Sequence, residues 1–257
     1  MPEFTIPDKK EVERTIKSIF RLLFPSSNSY SDTGNEISLS HARILLVGLL
    51  IGLTDEKEKV ADAFFKDLED IKTTLLKDAE FILESDPAAT RLIEVIAIYP
   101  GFLAIFCYRI ANSLAKLSIP LLPRMITEYS HKVTGIDIHP HAQIGCPIAI
   151  DHGTGIVIGE TTHIGNNVKI YQGVTLGALS VDKSKASKKR HPTIEDNVVL
   201  YSGCTILGGE TVVGRNSIIG GNVWLTESIA PFSVVYHKSE IIVRNSNGFT
   251  EPINFII

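Results

Sequence analysis

Residues 156–176 read IVIGETTHIGNNVKIYQGVTL, and within them Ile158, Ile164, Ile170 and Leu176 fall six apart. A period of six matches neither the 3.6 of a helix nor the 2 of a flat strand. A repeat this short predicts a parallel β-helix. Each hexad is one short strand and a turn, three hexads close a triangular coil, and the six-step side chain points into a narrow core. The grid runs back to Ile138, Ile144 and Ile150. After an interruption it runs forward through Ile194, Leu200, Ile206, Val212 and Ile218, with Trp224 at the next step. Fourteen of the 19 glycines lie between Gly135 and Gly221, where tight corners need them.

The grid breaks twice. From Ile150 to Ile158 the step is eight, and Asp151-His152 sits inside it. From Leu176 to Ile194 the chain reads GALSVDKSKASKKRHPT, too polar for a coil face, which predicts an extruded loop over 177–191 closed by Arg190-His191. A regular solenoid gains nothing from such breaks, so they mark where the chemistry is expected.

The first 134 residues follow helical rules. Val12, Ile16, Ile19, Phe20 and Leu23 form an apolar stripe. Ser40 reads as the N-cap of an apolar segment ending near Leu53, expected as a buried helix. Thr54 or Asp55 reads as the cap of a long segment to Leu83. Ser85-Asp86-Pro87 reads as a cap followed by proline at the first helical position, and Gly135 as the final stop. Pro100, Pro120 and Pro123 divide the remainder into short helices. The expected organisation is a helical domain over 1–134, a β-helix over 135–240 and a tail over 241–257 that leaves the solenoid once the grid ends at Trp224.

Composition narrows the class. Apolar residues make up 44% and charged ones 21%, with a net charge of −4, which favours neither nucleic acid nor an anionic membrane as partner. The apolar run Ile44–Leu53 is too short to cross a bilayer, and MPEFTIPDKKE lacks a secretory apolar region. Three scattered cysteines suit reduced thiols in a cytoplasm, with no disulfide framework and no cysteine-rich metal site.

Four segments carry a specific resemblance: GIDIHPHAQIG (135–145), IDHGTGIVIGET (150–161), YQGVTLGA (171–178) and RHPTI (190–194). They resemble the left-handed β-helix domain of serine O-acetyltransferase, a hexapeptide-repeat acetyltransferase, over about residues 86–233. The helical region is similar to that family's N-terminal domain. The resemblance implies transfer of the acetyl group of acetyl-CoA to L-serine, the first step of cysteine synthesis. His152 matches the catalytic histidine and Asp137 the aspartate that pairs with it. Asp86 and Asp151 match the carboxylates near serine, and Arg190 and His191 the basic pair on the loop. Gly177, Ala178, Ser202 and Gly220 match backbone contacts to CoA. The family loop often reads Gly-Gly-Thr-Gly-Lys, but here it is Gly177-Ala178-Leu179-Ser180, which leaves Lys183, Lys185, Lys188 and Lys189 as candidate replacements for the missing lysine. The family also implies feedback inhibition by L-cysteine, a trimer or a dimer of trimers, and O-acetylserine sulfhydrylase as a partner for a C-terminal isoleucine. Here the matching elements are Ile257 and Asn254, and the alternative is that Phe255-Ile256-Ile257 folds back to cap the open last coil.

These residue types suit the reaction. A serine hydroxyl is a weak nucleophile, so attack on a thioester needs a base, and an imidazole with a pKa near 6.5 suits neutral pH. Asp137 would stabilise the imidazolium as the acid does in a triad. Because the substrate brings the nucleophile, direct transfer in a ternary complex is expected. Arg190 offers a two-pronged grip on a carboxylate that lysine lacks. His139 and His141 read as surface residues of the first coil, and no metal is expected. The rivals are an acetyltransferase for a sugar or xenobiotic, a zinc-dependent carbonic anhydrase, which needs three converging imidazoles, and a non-catalytic scaffold.

Overall fold

The computed structural model describes residues 5–27, 38–179 and 188–238. Seven α-helices precede the solenoid among them. Helix α1 (Lys9–Leu23) is capped by Asp8, whose carboxylate accepts from Lys10 N (2.7 Å) and Glu11 N (3.2 Å). It buries Val12, Ile16, Ile19 and Leu23, four members of the predicted stripe, and leaves Phe20 half-buried. Helices α2 (Leu39–Leu50), α3 (Lys57–Lys66), α4 (Leu68–Ser85), α5 (Leu92–Ile98), α6 (Pro100–Lys116) and α7 (Leu122–Thr134) follow. Phe64, Phe102, Phe106, Leu75 and Leu114 are fully buried between them, and Phe20 meets the Phe102 and Phe106 rings edge-on.

Several helix boundaries differ from the sequence reading. Ser38, not Ser40, caps α2: its Oγ accepts from His41 N at 3.2 Å, while the Ser40 hydroxyl lies 2.8 Å from that of Ser38. The α2 segment is half-buried, since Ile44 and Ile51 face out while Leu46, Leu49 and Leu50 face in. The segment to Leu83 is two helices, α3 and α4, divided at Asp67. No helix begins at Pro87. Asp86 is the C-cap of α4, and its Oδ1 accepts from Ala88 N (2.8 Å), turning the chain away before α5. Pro100 starts a 17-residue helix, not a short one. Gly135 closes α7 with φ +72°, as its place in the sequence predicted.

Beyond Gly135 the chain winds into a three-faced parallel solenoid. Face A stacks β1 (Asp137–Ile138), β4 (Val157–Ile158), β7 (Thr175–Gly177), β10 (Thr205–Leu207) and β13 (Trp224–Leu225). Face B stacks β2 (Gln143–Ile144), β5 (His163–Ile164), β8 (Thr193–Ile194) and β11 (Val212–Val213). Face C stacks β3 (Ile148–Asp151), β6 (Val168–Tyr171), β9 (Val199–Leu200), β12 (Ile218–Ile219) and β14 (Val234–Val235). Ile138, Ile158, Leu176, Ile206 and Leu225 stand in one ladder. Asn167, Asn197, Asn216 and Asn222 sit in the left-handed region that a tight corner needs.

The grid has a third break that the periodicity concealed. After Ile206 the buried residues are Val213 and Ile219, not Val212 and Ile218. The corner at Gly208-Gly209 holds one extra residue, and a side chain at Gly209 would strike the Lys189 carbonyl. Aliphatic residues occupy both candidate registers, so hydrophobicity alone does not choose between them. Trp224 therefore pairs with Thr205 and points outward, 68% exposed. The solenoid also continues past it, through a bridge from Val213 to Ile229 and then β14.

The helices clamp the first coil. Asp78 on α4 is fully buried and accepts from Arg109 Nε (2.5 Å), Arg109 Nη2 (2.9 Å) and Ile148 N (3.0 Å). Arg109 Nη2 also donates to Gly145 O at 2.9 Å. Tyr108 donates to Ala142 O and accepts from Ile144 N. At the start of α6 the Gly101 backbone lies against the Ile150 carbonyl, so close that a Cβ there would sit 2.2 Å from the oxygen. The Asp78 and Gly101 contacts fix β3, the strand that leads into His152, and the Tyr108 contacts fix β2 before it. No single helix among the described residues is long and apolar enough to cross a membrane.

Candidate active site

The eight-residue step has a simple structural meaning. Asp151 pairs with Tyr171, while Gly173 N donates to Thr154 O (3.0 Å), so Thr154 stands beside Gln172. The two residues left over are His152 and Gly153. Gly153 N closes on Asp151 O at 2.6 Å, with φ +55° at His152 and +79° at Gly153. A Cβ at Gly153 would lie 2.5 Å from Ile136 Cδ1, so only glycine fits there. The insertion pushes the imidazole out of the corner, 73% exposed. A non-glycine residue at positive φ carries a conformational cost, which here presents a base to solvent.

Around His152, on the edge between faces C and A, two carboxylates collect. Asp151 Oδ1 lies 3.9 Å from His152 Nε2, too far for a hydrogen bond. Asp86 accepts from Ala88 N on one oxygen and from the Tyr99 hydroxyl (2.7 Å) on the other. The Tyr99 hydrogen bond, then the Ala88 N–H, then the nearby His152 hold the Asp86 carboxyl below its ordinary range. Tyr171 stacks on Tyr201 with centroids 5.1 Å apart. Burial raises the Tyr171 phenol, with Tyr201, Asp151 and Asp86 adding to it. Ser202 and Gly220 lie on this same edge, in the corners after β9 and β12.

Asp137 opens β1, but its carboxylate is taken by Arg124 (Nη1–Oδ1 3.0 Å), and no hydrogen bond joins it to His152. Arg124 also reaches Glu128 at 2.5 Å. Ligand atoms of Glu128, His131 and Asp137 converge, yet the guanidinium bonded to both carboxylates already supplies the positive charge a metal would bring.

The opposite edge, between faces A and B, holds the basic pair. Arg190 bonds to Glu160. His191 is 8% exposed and accepts on Nδ1 from Thr161 N at 3.1 Å. Burial, then Arg190, pushes its pKa down to about 4, so the ring is neutral and its proton sits on Nε2. Gly159 makes room for it, since a Cβ there would lie 2.1 Å from the ring. Gly177 and Ala178 lie at this edge. Lys189 is committed to the carbonyls of His191 (2.6 Å) and Thr161 (3.2 Å), Lys188 is exposed, and Lys183 and Lys185 lie outside the described residues. His139, expected on the surface, is half-buried, and burial lowers its pKa to about 4; His141 is exposed.

One chain thus brings together Asp86, Asp151 and His152 but leaves Arg190 and His191 across the width of face A. The candidate CoA contacts divide in the same way. Sequence reasoning missed Tyr99, Arg124 and Glu160. Glu160 stands in the quoted GET run, whereas nothing local marks Tyr99 or Arg124.

No protein-family profile matches the chain. Over 200 residues it is 46% identical to a plasmid serine acetyltransferase of Synechococcus elongatus, a match that covers 76% of this chain and 61% of that relative. Over 181 residues it is 42% identical to the serine acetyltransferase of Bacillus subtilis, covering 70% of this chain and 81% of the relative. The chain belongs to the serine acetyltransferase family. Its fold is similar to the crystal structure of Entamoeba histolytica serine acetyltransferase 1 in complex with L-cysteine, with a TM-score of 0.75, 33% identity and coverage of 91% of this chain and 88% of that one. Faces A, B and C are the left-handed β-helix of serine acetyltransferases, preceded by a helical region as the sequence predicted.

Proposed function

We propose that this chain transfers the acetyl group of acetyl-CoA to the hydroxyl of L-serine at a site shared by two copies. The observation that carries this reading is the division of the residues between the two edges of face A. Packing around a threefold axis sets the His152 edge of one copy against the Arg190 edge of the next. Asp86 and Asp151 then take the serine ammonium, while Arg190, with the Nε2–H of His191, takes the carboxylate. His152 removes the hydroxyl proton as the oxygen attacks the thioester carbon. The carbon–sulfur bond breaks, and the proton passes to the CoA sulfur, giving O-acetyl-L-serine and CoA. Asp137, bridged to Arg124, supplies counter-charge to the imidazolium. Ser202 and Gly220 of one copy and Gly177 and Ala178 of the next line the path of CoA.

L-cysteine carries the same ammonium and carboxylate and competes with serine as a feedback inhibitor. The exposed Ile44 on α2 and Ile51 at its C-cap suit a contact that joins two trimers. The tail from 239 onward, with Asn254 and Ile257, lies outside the described residues, and its role in binding O-acetylserine sulfhydrylase belongs to this reading, as does a cytoplasmic location. Thiol release from acetyl-CoA, compared between L-serine, a galactoside and chloramphenicol, tests the assignment. Faster release with L-serine is expected. A preference for either of the others replaces this reading with that of a sugar or xenobiotic acetyltransferase.

A further inference from the structure

We propose that Tyr99 is a positioning residue, whose hydroxyl orients the Asp86 carboxylate toward the ammonium of the amino-acid substrate. The proposal rests on the reading of Asp86 as an ammonium ligand. Asp86 stands on the turn that ends α4, and its bond to Ala88 N lies within that same turn. A carboxylate tied only to its own turn follows every movement of that turn. The Tyr99 hydroxyl, 2.7 Å from Oδ2, ties it to something else. Tyr99 is the residue immediately before α6, and the start of that helix is seated on the solenoid where Gly101 meets the Ile150 carbonyl. Ile150 immediately precedes Asp151 and His152. Tyr99 therefore references Asp86 to the strand that delivers the other carboxylate and the base.

The hydrogen-bond inventory fits this role. Each carboxylate oxygen has two acceptor positions, and after Ala88 and Tyr99 are satisfied each keeps one for an ammonium with three donors. Tyr99 donates throughout the working range, because the bond to Asp86, then burial, then Asp86, Glu94 and Asp151 push its pKa up to about 12. A phenylalanine keeps the ring and loses only the donor.

Steady-state kinetics of Tyr99→Phe, Asp86→Asn and the double variant test the proposal, with thermal melts beside them. Tyr99→Phe is expected to raise the KM for L-serine and the inhibition constant for L-cysteine together, on the order of tenfold, as for one lost hydrogen bond to a charged group. Its kcat, its KM for acetyl-CoA and its melting temperature stay those of the parent. Asp86→Asn raises the serine KM further, and adding Tyr99→Phe to it changes nothing more. An unchanged serine KM in Tyr99→Phe beside a raised one in Asp86→Asn overturns the role of Tyr99 and leaves that of Asp86. A serine KM unmoved by Asp86→Asn removes the ammonium reading, and the proposal with it. A Tyr99→Phe enzyme that melts lower and binds both substrates worse shows a merely structural tyrosine, which also overturns it.

Discussion

The two edges of face A are built on opposite principles. At the edge between C and A, an inserted His152-Gly153 pair lifts an imidazole into solvent beside two carboxylates. At the edge between A and B, Arg190 is bonded to Glu160 and His191 is sunk against Gly159, neutral and held by Thr161. One edge offers an exposed imidazole, and the other offers restrained groups with little exposure. On the proposed function neither edge alone holds both ends of an amino acid, and the edge of one copy completes that of the next.

The largest expected effect falls on the exposed edge. His152→Ala should lower kcat by on the order of 10²–10⁴ with little change in serine KM, the usual worth of a general base. A variant within threefold of the parent breaks the comparison, because the insertion would then have no chemical purpose. Mixing His152→Ala subunits with Arg190→Ala subunits sharpens it. Each homomer should be nearly inactive, yet random mixing should restore about a quarter of the interfaces, because one intact edge of each kind then meets. No recovery in chains shown to exchange would place both edges' functions within one copy.

The next effect is on stability. Asp78→Asn leaves Arg109 buried without its charge partner and should cost about 3–5 kcal/mol in urea denaturation. The damage should appear at the His152 edge, because Asp78 also holds Ile148 N at the start of β3. Arg190→Lys should then raise serine KM roughly tenfold by losing the two-pronged grip, with kcat nearly kept.

The smallest expected effect is that of the buried imidazole. His191 has its folded pKa depressed from 6.5 to about 4, so the unfolded chain binds more protons between those values. Stability should therefore fall as pH drops from 6.5 toward 4, and His191→Gln should make that fall shallower in melts across the range. An identical slope in both proteins would mean that the ring is not buried as described.

How far the sequence reading reached depends on which residues had local rules. The six-step grid identified the solenoid, because a narrow core accepts one aliphatic side chain per strand and repeats that demand at every coil. The same logic failed at Val212 and Val213, where aliphatic residues satisfy both registers and only the Gly208-Gly209 corner chooses. Asp86 failed differently: Ser-Asp-Pro is a sound helix start, but α4 already ran to Ser85, and a helix in progress overrides a cap.

The chain's own pattern sets the helical and solenoid halves and the break that carries Asp151-His152, because hydrophobic period and glycine corners are properties of neighbours along the chain, while most of the loop expected over 177–191 lies outside the described residues. Packing in three dimensions joins Tyr99 to Asp86 and Arg124 to Asp137, clamps the first coil through Asp78 and Arg109, and sets His152 and Arg190 on different edges. Those are contacts between groups 13 to 70 residues apart and positions on a closed triangle. Burial and hydrogen-bond geometry select such partners in space, and no period in the sequence records that selection.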